Sequence, residues 1–145
     1  MSQSVHFAQL RTGIKLGDTS LRDSMVLDGL TDAFNQYHMG ITAENVAKEF
    51  NISRQDQDAF ALQSQTKAKV AIEGQLFDQE IVSVEVKSKR GQVVIVSKDE
   101  HPKPETDIAS LSKLRPAFMK ENGTVTAGNA SGINDGAAAV VVMSR

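Results

Sequence analysis

The 145-residue sequence predicts an α+β fold with helices, one β-hairpin and a single buried strand near the C-terminus. Capping residues and apolar periodicity predict two helices, over residues 42–50 and 54–73. Alternating valines over residues 81–87, a Lys-Arg-Gly turn and an apolar return over residues 93–96 predict a hairpin. The valine-rich run over residues 137–143 is apolar without alternation, which is typical of a strand buried on both faces.

The composition is that of a globular protein with one core, at 40% hydrophobic and 23% charged residues. A formal net charge of −2 gives no electrostatic case for binding nucleic acid or an anionic membrane. No apolar run approaches the roughly 20 residues of a transmembrane helix, and residues 1–13 contain no signal-peptide core. The absence of cysteine excludes disulfides, thiolate metal sites and a cysteine nucleophile from this chain. The cytoplasm is the default compartment, and an organelle matrix is the alternative.

The first 40 residues have weak periodicity. Residues 2–25 are polar, with Gly13 and Gly17 as breakers, and predict a surface excursion or a loose hairpin. An apolar set at mixed helical spacing follows, formed by Met25, Leu27, Leu30 and Phe34. Gly40 is predicted to stop this segment. Taken alone, His38 is most simply a packed or capping histidine, although an imidazole can also line a pocket.

Two helices follow in the central part of the chain. Thr42 is a good N-cap for a helix that runs to about residue 50. Ser53 opens the next helix, because Asp56 lies three residues on in a capping-box arrangement, and Gly74 closes it. The residues predicted to form its buried stripe are Phe60, Ala61, Ser64, Ala68, Ala71 and Ile72. The opposite face, rich in Gln, Asp and Lys, is predicted to be solvated.

The hairpin is predicted from residues 81–87 and 93–96, with the turn at residues 89–91. Its tip is basic, formed by Lys87, Lys89 and Arg90. Such a tip is most often simply solvated, but it could also contact the phosphates of an anionic ligand.

Residues 99–105 form a charged, proline-rich connector that is predicted to be exposed. His101 has no partner at metal-ligand spacing, so we interpret it as a surface residue and predict no metal site. Thr106 can cap a short helix containing Ile108, Leu111 and Leu114.

A polar, glycine-rich stretch precedes the predicted C-terminal strand. Gly128, Gly132 and Gly136 recur every four residues, with asparagine and aspartate among them. The simplest interpretation is a tight turn before a core strand. Polar loops that lead into buried strands are also frequent ligand-contact sites in α/β proteins. The stretch lacks the Gly-Lys-Ser/Thr of a phosphate-binding P-loop.

The run TAGNASGINDGAAAV, at residues 126–140, closely resembles a signature of the thiolases, a family of acetyl-CoA acyltransferases. Three other stretches carry the same resemblance: DGLTDAFNQYHMGITAENVAK, SRQDQDAFALQSQ and SKLRPAF. Their order covers essentially the whole chain, but only the middle of a thiolase. The resemblance implies an incomplete thiolase fold. Residues 1–122 would be the loop domain, and residues 123–145 would return to the α/β core with one strand.

The resemblance also implies an activity, namely thiolytic cleavage or Claisen condensation of 3-ketoacyl-CoA in fatty acid metabolism. In the family, a cysteine thiolate takes the acyl group, while a second cysteine and a histidine move protons. The nucleophile lies upstream of the position matching Met1, and the other two lie downstream of the position matching Arg145. We therefore predict no catalytic residue in this chain, and no activity from the chain alone.

Coenzyme A and its thioesters are the ligands implied by the resemblance, as substrates and not as a prosthetic group. The positions matching the family's coenzyme A contacts are Leu30, His38, Met39, Lys103, Ser110, Ala127, Ser131 and Ile133. Of these, Ser110 matches the adenine end, and Ala127, Ser131 and Ile133 match the pantetheine arm. Lys103 stands where some members have an arginine at the phosphates.

The resemblance implies further partners as well: the missing thiolase core and sister subunits, most simply in a homotetramer. Residues 2–25 match the arm through which subunits assemble, so a neighbouring subunit would cover Leu10, Ile14 and Leu16. The alternative is a stand-alone coenzyme A-binding or subunit-interaction module without catalysis. That alternative requires the chain to be soluble and monodisperse by itself.

Overall fold

The computed structural model describes residues 1–11, 13–14, 16–88 and 91–145. In chain order, its elements are β1 (His6–Phe7), β2 (Arg22–Asp23), α1 (Met39–Glu49), α2 (Arg54–Glu73), β3 (Val84–Lys87), β4 (Val93–Val96) and α3 (Ile108–Ser112). A short π-helical turn, Met25–Gly29, lies between β2 and α1. The strands form two separate antiparallel pairs, β1 with β2 and β3 with β4. Helices and small sheets thus agree with the predicted α+β class.

The N-terminal excursion is closed by the short β1–β2 pair, in which His6 lies opposite Asp23. The apolar residues of the excursion are uncovered in the single chain. Leu10, Ile14 and Leu16 are 53%, 50% and 97% exposed. The prediction of a surface excursion or loose hairpin is confirmed by the described residues.

The start of α1 differs from the prediction. His38 is the N-cap residue, and its Nδ1 accepts a hydrogen bond of 3.0 Å from the Gly40 backbone N–H. Gly40 is buried in the first turn of the helix, so the predicted stop at Gly40 and the predicted cap at Thr42 are wrong. The physical reason is close packing, because a Cβ at residue 40 would collide with the ring of Phe118.

The predicted bounds of α2 are confirmed. The backbone N–H of Ser53 donates to Asp56 Oδ2 and the backbone N–H of Asp56 donates to Ser53 Oγ, both at 3.1 Å, which completes a capping box. The prediction of the buried stripe is wrong, since none of its six residues is buried. Three are half-buried and three are exposed, among them Phe60 at 73% and Ile72 at 51%. Asp58, on the face predicted to be solvated, is only 2% exposed. Asn129, from the glycine-rich stretch, hydrogen-bonds to Asp58 on that face.

The hairpin forms with Val84 opposite Val96 and Lys87 opposite Val93. Its ladder begins at Val84, three residues later than the start of the predicted segment. All eight strand residues are exposed. Of the predicted basic tip, Lys87 ends β3, whereas Lys89 and Arg90 lie outside the described residues.

The connector over residues 99–105 is exposed apart from a half-buried Pro102, as predicted. Asp107, not Thr106, caps α3, because its side chain accepts from the Ser110 backbone N–H at 2.7 Å. Leu111 in α3 is 3% exposed. Among the described residues, the buried hydrophobic side chains are those of Ala47, Leu111 and Val125.

The prediction of a buried strand over residues 137–143 is wrong for this structure. None of residues 137–145, all of them described, belongs to a strand. Val140, Val141, Val142 and Met143 are 83–90% exposed. A strand needs neighbouring strands to satisfy its backbone groups, and the described chain places none beside this segment. No helix in the described residues is long and apolar enough to cross a membrane.

Candidate functional site

Three of the eight predicted contact residues come together at the start of α1. The Met39 backbone N–H donates to the Leu30 carbonyl oxygen at 2.8 Å, and Thr31 and His38 form an isolated antiparallel bridge. Leu30 and His38 are half-buried, whereas Met39 is 44% exposed. Because Nδ1 of His38 accepts from Gly40, a neutral imidazole carries its proton on Nε2.

Phe118 connects this group to the glycine-rich stretch. Its ring lies 4.8 Å from the His38 ring, centroid to centroid, at an interplanar angle of 30°. The preceding residue, Ala117, donates its backbone N–H to the Val125 carbonyl oxygen at 2.9 Å. Sequence reasoning missed Phe118 as a site residue. The signal available was an aromatic residue inside the SKLRPAF stretch, but its partner His38 is 80 positions away in the chain.

A buried carboxylate holds the entry to the glycine-rich stretch. Glu44 in α1 is 5% exposed and accepts from the Thr124 and Val125 backbone N–H groups and from the Thr124 hydroxyl, at 2.8–2.9 Å. We call Glu44, Thr124 and Val125 the Glu44 clamp. Burial alone would raise the pKa of Glu44, but the hydrogen bonds from Val125 and Thr124 outweigh it and lower that pKa.

A second polar group fixes the same stretch to α2. Asp58 accepts from Arg54 Nε at 2.8 Å through one carboxylate oxygen and from Asn129 Nδ2 at 2.9 Å through the other. Arg54 Nη2 also donates to the carbonyl oxygens of Leu111 and Leu114. We call Arg54, Asp58 and Asn129 the Asp58 clamp. It joins α2 to α3 and to the glycine-rich stretch.

Between the two clamps, residues 126–129 form a tight turn. Asn129 Oδ1 accepts from the Thr126 backbone N–H at 2.7 Å, and Thr126 Oγ1 accepts from the Gly128 backbone N–H at 3.2 Å. Thr126 is fully buried. A Cβ at Gly128 would collide with the side chains of Leu111 and Leu114, so glycine permits the close approach of the turn to α3.

The predicted pantetheine contacts follow this turn and are exposed. Ala127 and Ser131 face solvent, and Ile133 is 57% exposed. Ile133 lines an open concavity of about 300 Å³ together with Met1, Ser2, Met25 and Asp135. Hydrogen bonds from the Met1 amine and from Ser2 hold the pKa of Asp135 well below its usual range.

The two remaining predicted contacts are Ser110 and Lys103. Ser110 is in α3, where its hydroxyl donates to the Asp107 carbonyl oxygen at 2.8 Å. Lys103 is exposed, and its backbone N–H donates to Gln65 Oε1 at 2.8 Å. Through Leu111 and Gly128, α3 contacts the turn, so the structure brings the segment of Ser110 close to Ala127.

A second open concavity, of about 470 Å³, contains none of the eight predicted residues. It is lined by Val96, Lys98, Asp99, Glu100, His101, Asn134 and Asp135. His101 is exposed, as predicted, and its ring packs against Gly132. Within the described ranges, no group of three or more His, Asp or Glu side chains is placed to hold a metal ion.

The residues described above offer hydrogen-bonding and apolar groups. The chain has no cysteine, and therefore no thiolate for acyl transfer. Backbone groups in the turn, the Ser131 hydroxyl and the Met39 side chain can contact an extended ligand with both polar and apolar parts.

Comparison with known proteins identifies close relatives. The family model described as "Thiolase, N-terminal domain" matches residues 1–145. A probable acetyl-CoA acyltransferase of Staphylococcus epidermidis is 56% identical over 146 residues, which cover 100% of this chain and 37% of the relative. A probable acetyl-CoA acyltransferase of Staphylococcus aureus is 58% identical over 135 residues, covering 93% and 34% respectively.

Solved structures give the same result. An acetyl-CoA acetyltransferase from Syntrophomonas wolfei matches with a TM-score of 0.82 at 45% identity, covering 90% of this chain and 33% of that one. Human mitochondrial 3-ketoacyl-CoA thiolase matches with a TM-score of 0.81 at 45% identity, covering 91% and 33%. The chain thus spans about a third of the length of these relatives and carries a partial version of their fold.

Proposed function

Because the chain belongs to the thiolase family, we propose that it is the coenzyme A-binding and assembly segment of an acetyl-CoA C-acyltransferase. Residues 1–122 would form the loop domain, and residues 123–145 would return to the core. The whole enzyme would cleave or condense 3-ketoacyl-CoA, with coenzyme A thioesters as substrates and no prosthetic group. The cytoplasm, which the sequence favours, is part of the same proposal.

One observation carries the proposal: Leu30, His38 and Met39 are contiguous and are joined through Phe118 to the turn that precedes Ser131. These contacts link residues from distant parts of the sequence into one surface, which an extended ligand such as coenzyme A could follow. The glycine at residue 128 supports the same view, because it permits close packing of the turn on α3 while the neighbouring Ala127 is exposed.

Each contact has its own role in the proposal. Ser131 would hydrogen-bond a pantetheine amide, and Ala127 and Ile133 would line the path of that arm. Ser110 would lie at the adenine end. Lys103 would approach the phosphates as a point charge, without the bidentate fork of an arginine. A neutral hydrogen bond contributes about 1 kcal/mol, so affinity would depend on several contacts forming together.

The chain alone is proposed to be inactive. Acyl transfer by a thiolate requires a cysteine, and the sequence has none. We expect no thiolysis of acetoacetyl-CoA by a homogeneous preparation. Turnover that co-purifies with the chain through two orthogonal columns would contradict this part of the proposal.

Exposed apolar surface supports the proposed partners, which are the missing thiolase core and sister subunits. Residues 140–143 are 83–90% exposed, and Leu16 in the N-terminal excursion is 97% exposed. Apolar surface of this extent is usual where another protein surface covers it. A stand-alone module would leave both regions in water.

Calorimetric titration of coenzyme A into the purified chain tests the proposal. We expect saturable binding that is abolished in Ser131→Trp, because the indole would fill the path of the pantetheine arm. The matched control is Ser20→Trp, at an exposed serine in the N-terminal excursion, where binding should be unchanged. Binding that is equal in the wild-type chain and in Ser131→Trp would refute the proposed site.

A further inference from the structure

Asp58 is a charged residue that is buried on one face of α2. Its carboxylate is buried, and a buried charge is costly unless it is paired and hydrogen-bonded. Arg54 supplies the charge partner from the preceding turn of α2, and Asn129 supplies a second donor from 71 residues away. The pair therefore does more than stabilise α2, because one of its two carboxylate oxygens is used to hold a distant segment.

Arg54 extends the same connection to α3. Its Nη2 donates to the Leu111 carbonyl oxygen at 2.7 Å and to the Leu114 carbonyl oxygen at 3.1 Å. Leu111 lies in α3, and Leu114 lies two residues beyond its end. One guanidinium thus connects the end of α3 and the residues after it to α2.

Asn129 uses both atoms of its amide. Nδ2 donates to Asp58 and to the Thr124 carbonyl oxygen, and Oδ1 accepts from the Thr126 backbone N–H. The turn over residues 126–129 is therefore fixed to α2 through a single side chain. The polar atoms of the Asp58 clamp are turned inward, towards α3 and the turn.

We propose that Arg54, Asp58 and Asn129 are positioning residues for coenzyme A binding. The Asp58 clamp sets the position of α3, which carries Ser110, relative to the turn that precedes Ser131. These segments carry the contacts assigned above to opposite ends of coenzyme A, so this inference rests on the proposed function. A preorganised site binds more tightly because less ordering is needed when the ligand arrives.

The experiment combines coenzyme A titration with amide hydrogen exchange on the 145-residue chain and its variants. Asn129→Ala removes the connection to α2, and Asp58→Asn weakens it while preserving side-chain volume. Asn134→Ala is the control, at an exposed asparagine of the same stretch whose side chain makes no hydrogen bond to the described residues. We expect about tenfold weaker coenzyme A binding in the first two variants and unchanged binding in the control.

Hydrogen exchange separates positioning from general destabilisation. In Asn129→Ala the Thr126 amide should exchange at least tenfold faster, because its acceptor is lost. The Thr124 and Val125 amides, which donate to Glu44, should keep their exchange rates. Faster exchange spread evenly over the chain, or an unchanged Thr126 rate, would overturn the proposal. So would full coenzyme A affinity in folded Asn129→Ala.

Two further outcomes are also decisive. If neither variant folds, the wild-type chain provides the test, because positioning requires the Thr126 amide to exchange as slowly as amides in the middle of α2. Rapid exchange there would overturn the proposal. If the wild-type chain binds no coenzyme A, the proposed function fails, whereas the Thr126 exchange rate in Asn129→Ala still decides whether Asn129 fixes the turn.

Discussion

The turn at residues 126–129 and the apolar run at residues 137–143 both differ from the burial that their hydropathy predicts, in opposite directions. The turn is rich in polar and small residues, yet Thr126 is 0% exposed. The run is almost entirely apolar, yet Val141 is 90% exposed. The turn has a hydrogen-bond partner from α2, and the residues that lead into it have one from α1, whereas the run has no neighbouring strand in the described chain. In this molecule, available partners decide burial more than hydropathy does.

Removing the Glu44 carboxylate should have the largest effect on the contrast between the turn and the run, because it removes the acceptor that fixes the entry to the turn. Glu44→Ala leaves three donors without their charged acceptor, which is expected to lower the free energy of unfolding by about 3 kcal/mol. Glu49→Ala is the control, at an exposed glutamate in the same helix. Urea denaturation followed by circular dichroism measures both. Equal stability of the two variants would show that the Glu44 clamp does not hold the turn.

The next largest effect is expected at the contact between α1 and Phe118. Gly40→Ala places a Cβ against the aromatic ring, and overpacking of this kind costs about 2 kcal/mol. The matched control is Gly29→Ala, since a Cβ at residue 29 meets no atom within 4 Å. Thermal unfolding should show a lower midpoint for Gly40→Ala only. A similar decrease in both variants would point to backbone effects and not to the packing of Phe118.

Acid should weaken the buried turn and leave the exposed run unchanged. The pKa of Glu44 is lower in the folded chain than its ordinary value of 4.5 in the unfolded chain. Its stabilisation is therefore complete above about pH 4.5 and is lost as the pH falls through the lower, folded-state pKa. The difference in unfolding free energy between wild type and Glu44→Gln should shrink over that interval. A difference that stays constant with pH would contradict this assignment.

The smallest effect on stability is expected within the apolar run. Val141→Asp should change the free energy of unfolding by less than about 0.5 kcal/mol, because Val141 is exposed in the single chain. It should nevertheless reduce self-association, which multi-angle light scattering can measure, since a charge disfavours contact between apolar strands. Ser144→Asp adds the same charge outside the run and is the control. A wild-type chain that is already a clean monomer would contradict the expected self-association.

The parts of the fold that depend on local sequence could be predicted. Ser53 and Asp56 lie within one helical turn of each other, so their capping box can be predicted from their spacing. The alternating valines of the hairpin pair across a short turn, and both strands form as expected, although β3 starts later. The resemblance to thiolases was also sufficient to identify the family, because long runs of unusual composition match it.

The remaining features depend on distant partners. The burial of Asp58 could not be predicted, because it depends on a hydrogen bond from Asn129, which lies 71 positions later in the sequence. His38 is correctly interpreted as a packed or capping histidine, but the sequence predicts the cap of α1 at Thr42, because threonine is a more usual N-cap than histidine. The burial predicted for residues 137–143 failed for a related reason. The valines of residues 137–143 indicate a core strand, but a core strand requires neighbouring strands, and the described chain places none beside this segment.

Amide hydrogen exchange of the wild-type chain, with and without coenzyme A, tests the central claim that the clamped region is a preformed binding surface. Without ligand, we expect slow exchange at the amides of residues 124–126 and 128 and fast exchange over residues 137–143. Coenzyme A should slow exchange further at residues 38–40 and 127–133 and leave residues 137–143 unchanged. Fast exchange throughout residues 124–126 and 128, or no change at residues 38–40 and 127–133 with saturating coenzyme A, would contradict the account.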